Sequence, residues 1–329
     1  MLNVLVRKTL WLLMLSARAR KILSAAVMAL FSLFTLPTLA AALLIVEPEQ
    51  GRQPILDALK QAHTSVDLAM YGFTDPELMQ AFIQAKEQGK AVRILLQHYP
   101  YRNIDENAPA IHRFSASHLN LTFAPSTFYL LHQKTLLLDQ HKALVLSFNF
   151  TRSAFKNERN FGLVIDDPEQ VQEIQRVFNA DWENKKAAPH SPQLIWSPDN
   201  SREKILSLIN NAKSELKVYA QGLTDYQVVG ALAAAARRGV QVRLLTSGSQ
   251  PGKKWDYLQR AGVQLTLDKR LVIHAKVLLA DKKAAMLGSI NFTQPSLDKN
   301  RELSVLANDP AIINQLVDIF DADWTSSQS

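Results

Sequence analysis

Apolar and polar positions fall into one β/α rhythm that runs twice along the chain. Short apolar runs at residues 43–46 and 194–196 read as strands, and each is followed by a segment with apolar residues on a single helical face, 54–62 and 203–212. Strands are then predicted over 65–71 and 215–221, helices over 76–88 and 226–238, and strands over 91–96 and 240–246. Gly89 and Gly239 stand where a helix end favours a residue tolerant of left-handed dihedrals. Further on, 134–139 with 143–147, and 276–281 with 284–287, pattern as β-hairpins around the polar turns Gln140-His141-Lys142 and Lys282-Lys283. Each half closes on a helix opened by Asp166-Asp167-Pro168 or Asn308-Asp309-Pro310, with Asp suited to the N-cap and Pro to the first helical position. Alternation of this kind predicts an α/β sandwich in each half.

The two halves match residue by residue. Pro48 aligns with Pro198, Ile55-Leu56 with Ile205-Leu206, Thr74-Asp75 with Thr224-Asp225 and Val92-Arg93 with Val242-Arg243, each at an offset of 150. From His132 onward the offset is 142, and it persists to Asp181-Trp182 against Asp323-Trp324, which read as helix-end packing. Eight extra residues therefore lie between 97 and 131 of the first half. The division is a leader over 1–42, a first half over 43–184, a Pro-containing linker over 185–193 and a second half over 194–329.

The first 42 residues hold Arg7, Lys8, Arg18, Arg20 and Lys21 and no acidic residue, then an apolar run from Ile22 to Leu36 and the small residues Ala40-Ala41-Ala42. This is the pattern of a secretory signal peptide, cleaner if read from Met14, and it predicts a periplasmic or secreted protein. An uncleaved membrane anchor is the alternative. The formal charge of +7 rests on 37 basic and 30 acidic residues, five of the basic ones being those in the leader, so the remainder carries about +2. Such a balance lacks the basic excess of a protein that grips nucleic acid through its phosphates. With no cysteine, disulfides, thiolate catalysis and Cys-based zinc sites are excluded.

The candidate chemistry lies in the hairpins. His132-Gln133-Lys134 is followed after four residues by Asp139, and His274-Ala275-Lys276 by Asp281; downstream come Ser147-Phe148-Asn149 and Ser289-Ile290-Asn291. Side chains two apart on a strand share a face, so each His and Lys point the same way, whereas Asp139 and Asp281, five past the lysines, are expected on the opposite face and in structural roles. Duplicated HxKxxxxD strings with matching Ser-x-Asn resemble the phospholipase D superfamily, the HKD phosphodiesterases, over essentially the whole chain past the leader.

That resemblance implies two duplicated α/β sandwich halves about a pseudo-twofold axis, one composite active site, a phosphohistidine intermediate, and no metal ion or other cofactor. It implies His132 as nucleophile, His274 as general acid/base, and Ser147 and Ser289 as supporting hydroxyls. It implies also that the residue in the register of Glu302 orients the histidine of the other half, so that Glu302 serves His132 while Asn160, or the nearby Glu158, serves His274. The residue types fit on their own terms. An anionic phosphodiester needs positive charge and donors around its oxygens, which Lys134, Lys276, Asn149 and Asn291 can supply, and two imidazoles can act as nucleophile and acid near neutral pH. Leu146 stands where the second half has Gly288, which predicts a more crowded first turn.

The expected function is a monomeric phospholipase D cleaving glycerophospholipids to phosphatidic acid and head-group alcohol, with contact to a membrane surface. The alternatives are an exported metal-independent endonuclease acting on nucleic acid and a phosphatidyltransferase of the cardiolipin synthase kind. A catalytically inactive binding protein is disfavoured by the intact His-Lys pairs. Tyr99, Tyr101, Phe123, Phe128 and Tyr129 border the insertion and read equally as packing or as a substrate lip.

Overall fold

A computed structural model of the chain describes residues 44–100, 105–248 and 252–328; the leader, Leu43 and Tyr101 fall outside them. The first half runs β1 (Leu44–Glu47), α1 (Gln53–Gln61), β2 (Ser65–Met70), α2 (Pro76–Glu87), β3 (Ala91–Leu96), α3 (Ala108–Ala116), β4 (Asn120–Phe123), β5 (Thr135–Leu138), β6 (Lys142–Leu146), β7 (Glu158–Ile165) and α4 (Pro168–Trp182). The second runs β8 (Leu194–Ser197), α5 (Ser201–Asn211), β9 (Glu215–Ala220), α6 (Tyr226–Arg237), β10 (Gln241–Thr246), α7 (Lys253–Arg260), β11 (Gln264–Leu267), β12 (Val272–Ile273), β13 (Lys276–Ala280), β14 (Ala284–Gly288), α8 (Gln294–Asp298), β15 (Glu302–Ala307) and α9 (Pro310–Gln328). Both sheets have the same strand order, β1-β7-β6-β5-β2-β3-β4 and β8-β15-β14-β13-β9-β10-β11. The fold is mixed α/β, duplicated.

Local chemistry fixes the element ends. Asp75 and Asp167 accept from the backbone N–H three residues on, at Leu78 and Gln170, and Asp225 accepts from Gln227 and Val228; each satisfies donors that a helix start leaves open. Gly89 and Gly239 follow their helices with φ of 90° and 91°. Among the elements that the pattern does not predict are α3 with β4, and α7 with β11. They are short and their strands only half-buried, so the apolar signal that marks the other elements is weak there. Most of the extra length of the first half lies ahead of α3, where residues 97–107 stand against 247–252.

Strand alternation sorts the core into layers. In β5 and β6, Leu137, Ala143 and Val145 face one way, toward a cluster shared with Val277, Leu279 and Leu287 of the second half and with Phe178 and Phe320 of α4 and α9. Leu136, Leu138, Leu144 and Leu146 face the opposite way, into a core under α1, α2 and α3. The mirrored set, with Leu278 and Met286, packs under α5, α6 and α7. Both sheets therefore bury both faces, and the shared cluster joins the halves.

Candidate active site

The site forms where strands of the two halves meet. Within each sheet the ends of β2 and β6 lie beside the starts of β5 and β7, as Ala69 pairs with Thr135 and Leu146 with Gly162. The segment leading into each motif crosses to the other half. Leu131 bridges to Arg301, and the N–H groups of His132 and Gln133 both donate to the Arg301 carbonyl at 2.9 Å. Reciprocally, β12 pairs in parallel with the start of β7, and His274 and Ala275 donate to the Arg159 carbonyl at 3.2 and 2.9 Å. Each histidine is thus set down by backbone pairing next to the opening residues of the other half's strand.

Those opening residues are Glu158-Arg159-Asn160 in β7 and Asn300-Arg301-Glu302 at β15. The carboxylate and the amide have exchanged places between the halves. Glu302, fully buried, meets His132 Nδ1 at 2.8 Å, while its other oxygen accepts from Asn300 at 2.9 Å and from the Ser296 hydroxyl. At the other histidine the amide comes first: Asn160 Oδ1 lies 2.9 Å from His274 Nδ1 and also accepts from Ser147 at 2.8 Å. Asn160 Nδ2 donates to Glu158 at 3.0 Å, and that carboxylate stands 3.8 Å from His274 Nδ1.

These contacts assign the tautomers. Glu302 can only accept, so His132 donates from Nδ1 and keeps the Nε2 lone pair free. The bond to Glu158 orients the Asn160 amide with its oxygen toward His274, so that Nδ1 also carries a hydrogen. Lys276 Nζ, 3.2 Å from the same nitrogen, then has its acceptors elsewhere, in the carbonyls of Ser147, at 3.3 Å, and His274. Lys134 donates to the His132 carbonyl at 2.5 Å and stands over the Tyr71 ring, whose edge also packs on His132.

Burial dominates the electrostatics. It pushes His132 down to about 4, with Glu302 pulling the other way and the lysines adding to the fall. His274 is driven well below the usual imidazole range by burial first, then by Lys276 and Lys134. Burial lowers Lys134 to about 7, and Lys276 falls well below the usual amine range. Glu302 is lowered overall, since His132, Lys134 and the Ser296 hydroxyl outweigh the burial that would raise it. The resting site thus has two neutral imidazoles, an ionised Glu302 and two lysines whose ammonium form a bound anion would favour.

The remaining predicted residues fall in several places. Asn149 accepts from Gly72 N–H at 3.2 Å, beside the end of β2; Asn291 Oδ1 is buried with no partner among the described residues. Ser289 exchanges bonds with the Leu303 backbone instead of touching Glu302. Asp139 and Asp281 are not on the strands as expected. They occupy the hairpin turns at φ of 53° and 54° and accept from the backbone N–H groups of residues 63–65 and 213–215, tying each turn to the strand beside it. The crowding expected at Leu146 is absent because Gly162 is its cross-strand partner, whereas Gly288 pairs with Ser304.

Asp181 and Asp323, read as helix-end packing, instead cross between the halves: Asp181 holds Arg301 at 2.9 Å and Asp323 holds Arg159 at 2.7 Å. Ser296, Asn300, Arg159 and Arg301 were missed as well. The readable signal was the 142 offset, which puts Glu158 opposite Asn300 and Asn160 opposite Glu302. Of the aromatics, Tyr99 and Phe123 stack on His98, Phe128 covers the Arg301 guanidinium at 4.2 Å, and Tyr129 is exposed.

Comparison with known proteins finds the same duplication. The family model described as "Cardiolipin synthase, PLD-like domain" matches residues 55–182 and again 205–324, once in each half. A "Phospholipase D" of Rickettsia bellii is 32% identical over 136 residues, 40% of this chain and 66% of that protein. "Cardiolipin synthase 2" of Bacillus anthracis is 25% identical over 333 residues, 84% of this chain and 63% of that one, so the chain spans just under two thirds of each relative's length. Among solved structures, the phosphatidylserine synthase of Haemophilus influenzae Rd KW20 superposes with a TM-score of 0.69 at 12% identity, covering 87% of this chain and 88% of that one. That likeness is one of fold.

Proposed function

The chain belongs to the phospholipase D-like family, and from that premise we propose that it is a phosphodiesterase of the phospholipase D type acting on glycerophospholipids. The observation that carries the reading is the pair of histidines, each held at Nδ1 by a side chain of the opposite half and each beside a buried lysine. His132 Nε2 attacks phosphorus, forming a P–N bond as the bond to the head-group oxygen breaks; His274, protonated on substrate binding, gives its proton to that oxygen. Neutral His274 then takes a proton from water, whose oxygen bonds to phosphorus as the P–N bond breaks and His132 is restored. Glu302 balances the cationic phosphohistidine, and the lysine ammonium groups, with the Asn149 and Asn291 amides, face the developing phosphoryl charge.

Transfer to an alcohol in place of water is the second reading. It is favoured by the family model's description and by the cardiolipin synthase match, which extends over most of the chain. The two share every step except the identity of the final hydroxyl.

The test is an assay in EDTA on vesicles of phosphatidylcholine and of phosphatidylglycerol, with plasmid DNA alongside. Phosphatidic acid release supports hydrolysis, and cardiolipin formation from phosphatidylglycerol supports transfer. Cleavage of DNA with both lipids untouched would overturn the lipid reading; activity lost in EDTA and restored by a divalent ion would overturn the mechanism.

A further inference from the structure

The exchange of Glu and Asn between the two half-sites gives the histidines unlike partners. His132 has a carboxylate in direct contact, with an amide behind it; His274 has an amide in direct contact, with a carboxylate behind it. A directly bonded carboxylate favours the imidazolium strongly, whereas one a shell away does so through a longer distance and by orienting the amide. The groups facing His274 are Lys276 on its own strand, Glu158 on β7, and His132 with Lys134 across the interface. Glu158 is the one acidic side chain among them. Its side chain is 15% exposed, so solvent screens it only in part, and its charge reaches Lys134 and Lys276 as well.

We propose that Glu158 is a positioning residue that acts through Asn160 to set the proton affinity of His274, high enough for it to hold the acid proton once an anion is bound and low enough for it to surrender that proton to the leaving group. This rests on the phosphodiesterase reading above. It assigns a mechanistic part to the order of residues in Glu158-Arg159-Asn160 against Asn300-Arg301-Glu302.

The experiment is first-turnover kinetics on two phosphodiesters, one with an alkoxide leaving group and one with nitrophenolate, across pH. The nitrophenolate needs no proton, so its first turnover reports His132 and the lysines; the alkoxide reports His274 as well. Glu158→Gln keeps the size of the side chain. It is expected to move the alkaline limb of the alkoxide reaction down by about one pH unit relative to the nitrophenyl reaction, the order expected for removing an opposite charge at this distance. The reversed pair, Glu158→Asn with Asn160→Glu, should move that limb up by a similar amount. Equal shifts on both substrates would mean that Glu158 acts on the lysines and would overturn the proposal, as would no shift in the Glu158→Gln variant. Acid-quenched mass spectrometry keeps the two levels apart: absence of a phosphoryl adduct on wild-type His132 overturns the phosphodiesterase reading itself, whereas an adduct with unshifted limbs overturns only the role of Glu158.

Discussion

At the scale of single residues, the site is governed by burial opposed by a few placed charges. Catalysis as proposed needs His132 neutral, His274 protonated and Lys134 charged. His132, pushed down to about 4, meets its requirement at any pH above that value. His274 lies well below the usual imidazole range, so in the free enzyme its proton is gone before neutrality is reached, and Lys134, at about 7, loses its own as pH rises through neutrality. The expected kcat/KM profile therefore rises as pH falls from 8 toward 6 and declines only as His132 begins to protonate; a stopped assay over pH 4 to 9 checks it, and an optimum above 8 would contradict it. The two histidines and lysines were legible in the sequence because the string occurs twice in one register. The order of their partners was not, because Glu158 and Asn160 are two residues apart and only the packed structure shows which of them reaches His274.

At the scale of elements, the two hairpins solve one packing problem in opposite ways. Leu146 fills the space that Gly162 vacates. At Gly288 the backbone has φ of 152°, and a Cβ there would lie 2.5 Å from the Leu303 carbonyl oxygen and the Ser304 Cα. At Gly162 a Cβ would meet chiefly the tip of Leu146, at 2.6 Å, a side chain that can turn away. Gly288→Ala is accordingly expected to cost about 3 kcal/mol and Gly162→Ala about 1–2 kcal/mol, read from denaturant midpoints; the reverse ranking would show that the hairpin backbone is freer than its contacts imply. Hydrophobic patterning located β2, β3, β9 and β10 to within a residue because each is a compact apolar run broken by a single interior charge, at Asp67, Arg93, Lys217 or Arg243. It missed β7 and β15, since each opens on charged and amide residues that belong to the site and the interface rather than to the sheet core.

At the scale of the whole molecule, two buried arginines tie the halves reciprocally. Arg159 reaches from the first half to Asp323 in α9, and Arg301 from the second half to Asp181 in α4. Tyr219 adds a 2.7 Å bond to Asp323. Removing one member leaves the other charge short of a partner in the interior, so Asp323→Ala should lower the unfolding free energy by about 3–5 kcal/mol, whereas Glu183→Ala, which breaks an exposed pair with Lys185, should leave the unfolding midpoint where it is. Arg159 also donates to Glu49 at 2.6 Å, and equal effects in a urea titration would show that this second carboxylate satisfies it alone. None of this was legible beforehand: Asp181-Trp182 and Asp323-Trp324 look alike in sequence, and nothing in either half names its partner in the other.

The covalent joining of the halves has one more consequence. Two identical copies meeting about an exact twofold axis would give both histidines the same neighbours, and a substrate could react in either direction across the site. Here one chain carries both copies, and the exchange of Glu and Asn marks its two ends as different. On the proposed roles the substrate has a single productive orientation, with the departing alcohol always toward His274. The incoming water or alcohol must then enter by the side on which the first alcohol left, so one doorway serves both the exit of one and the entry of the other.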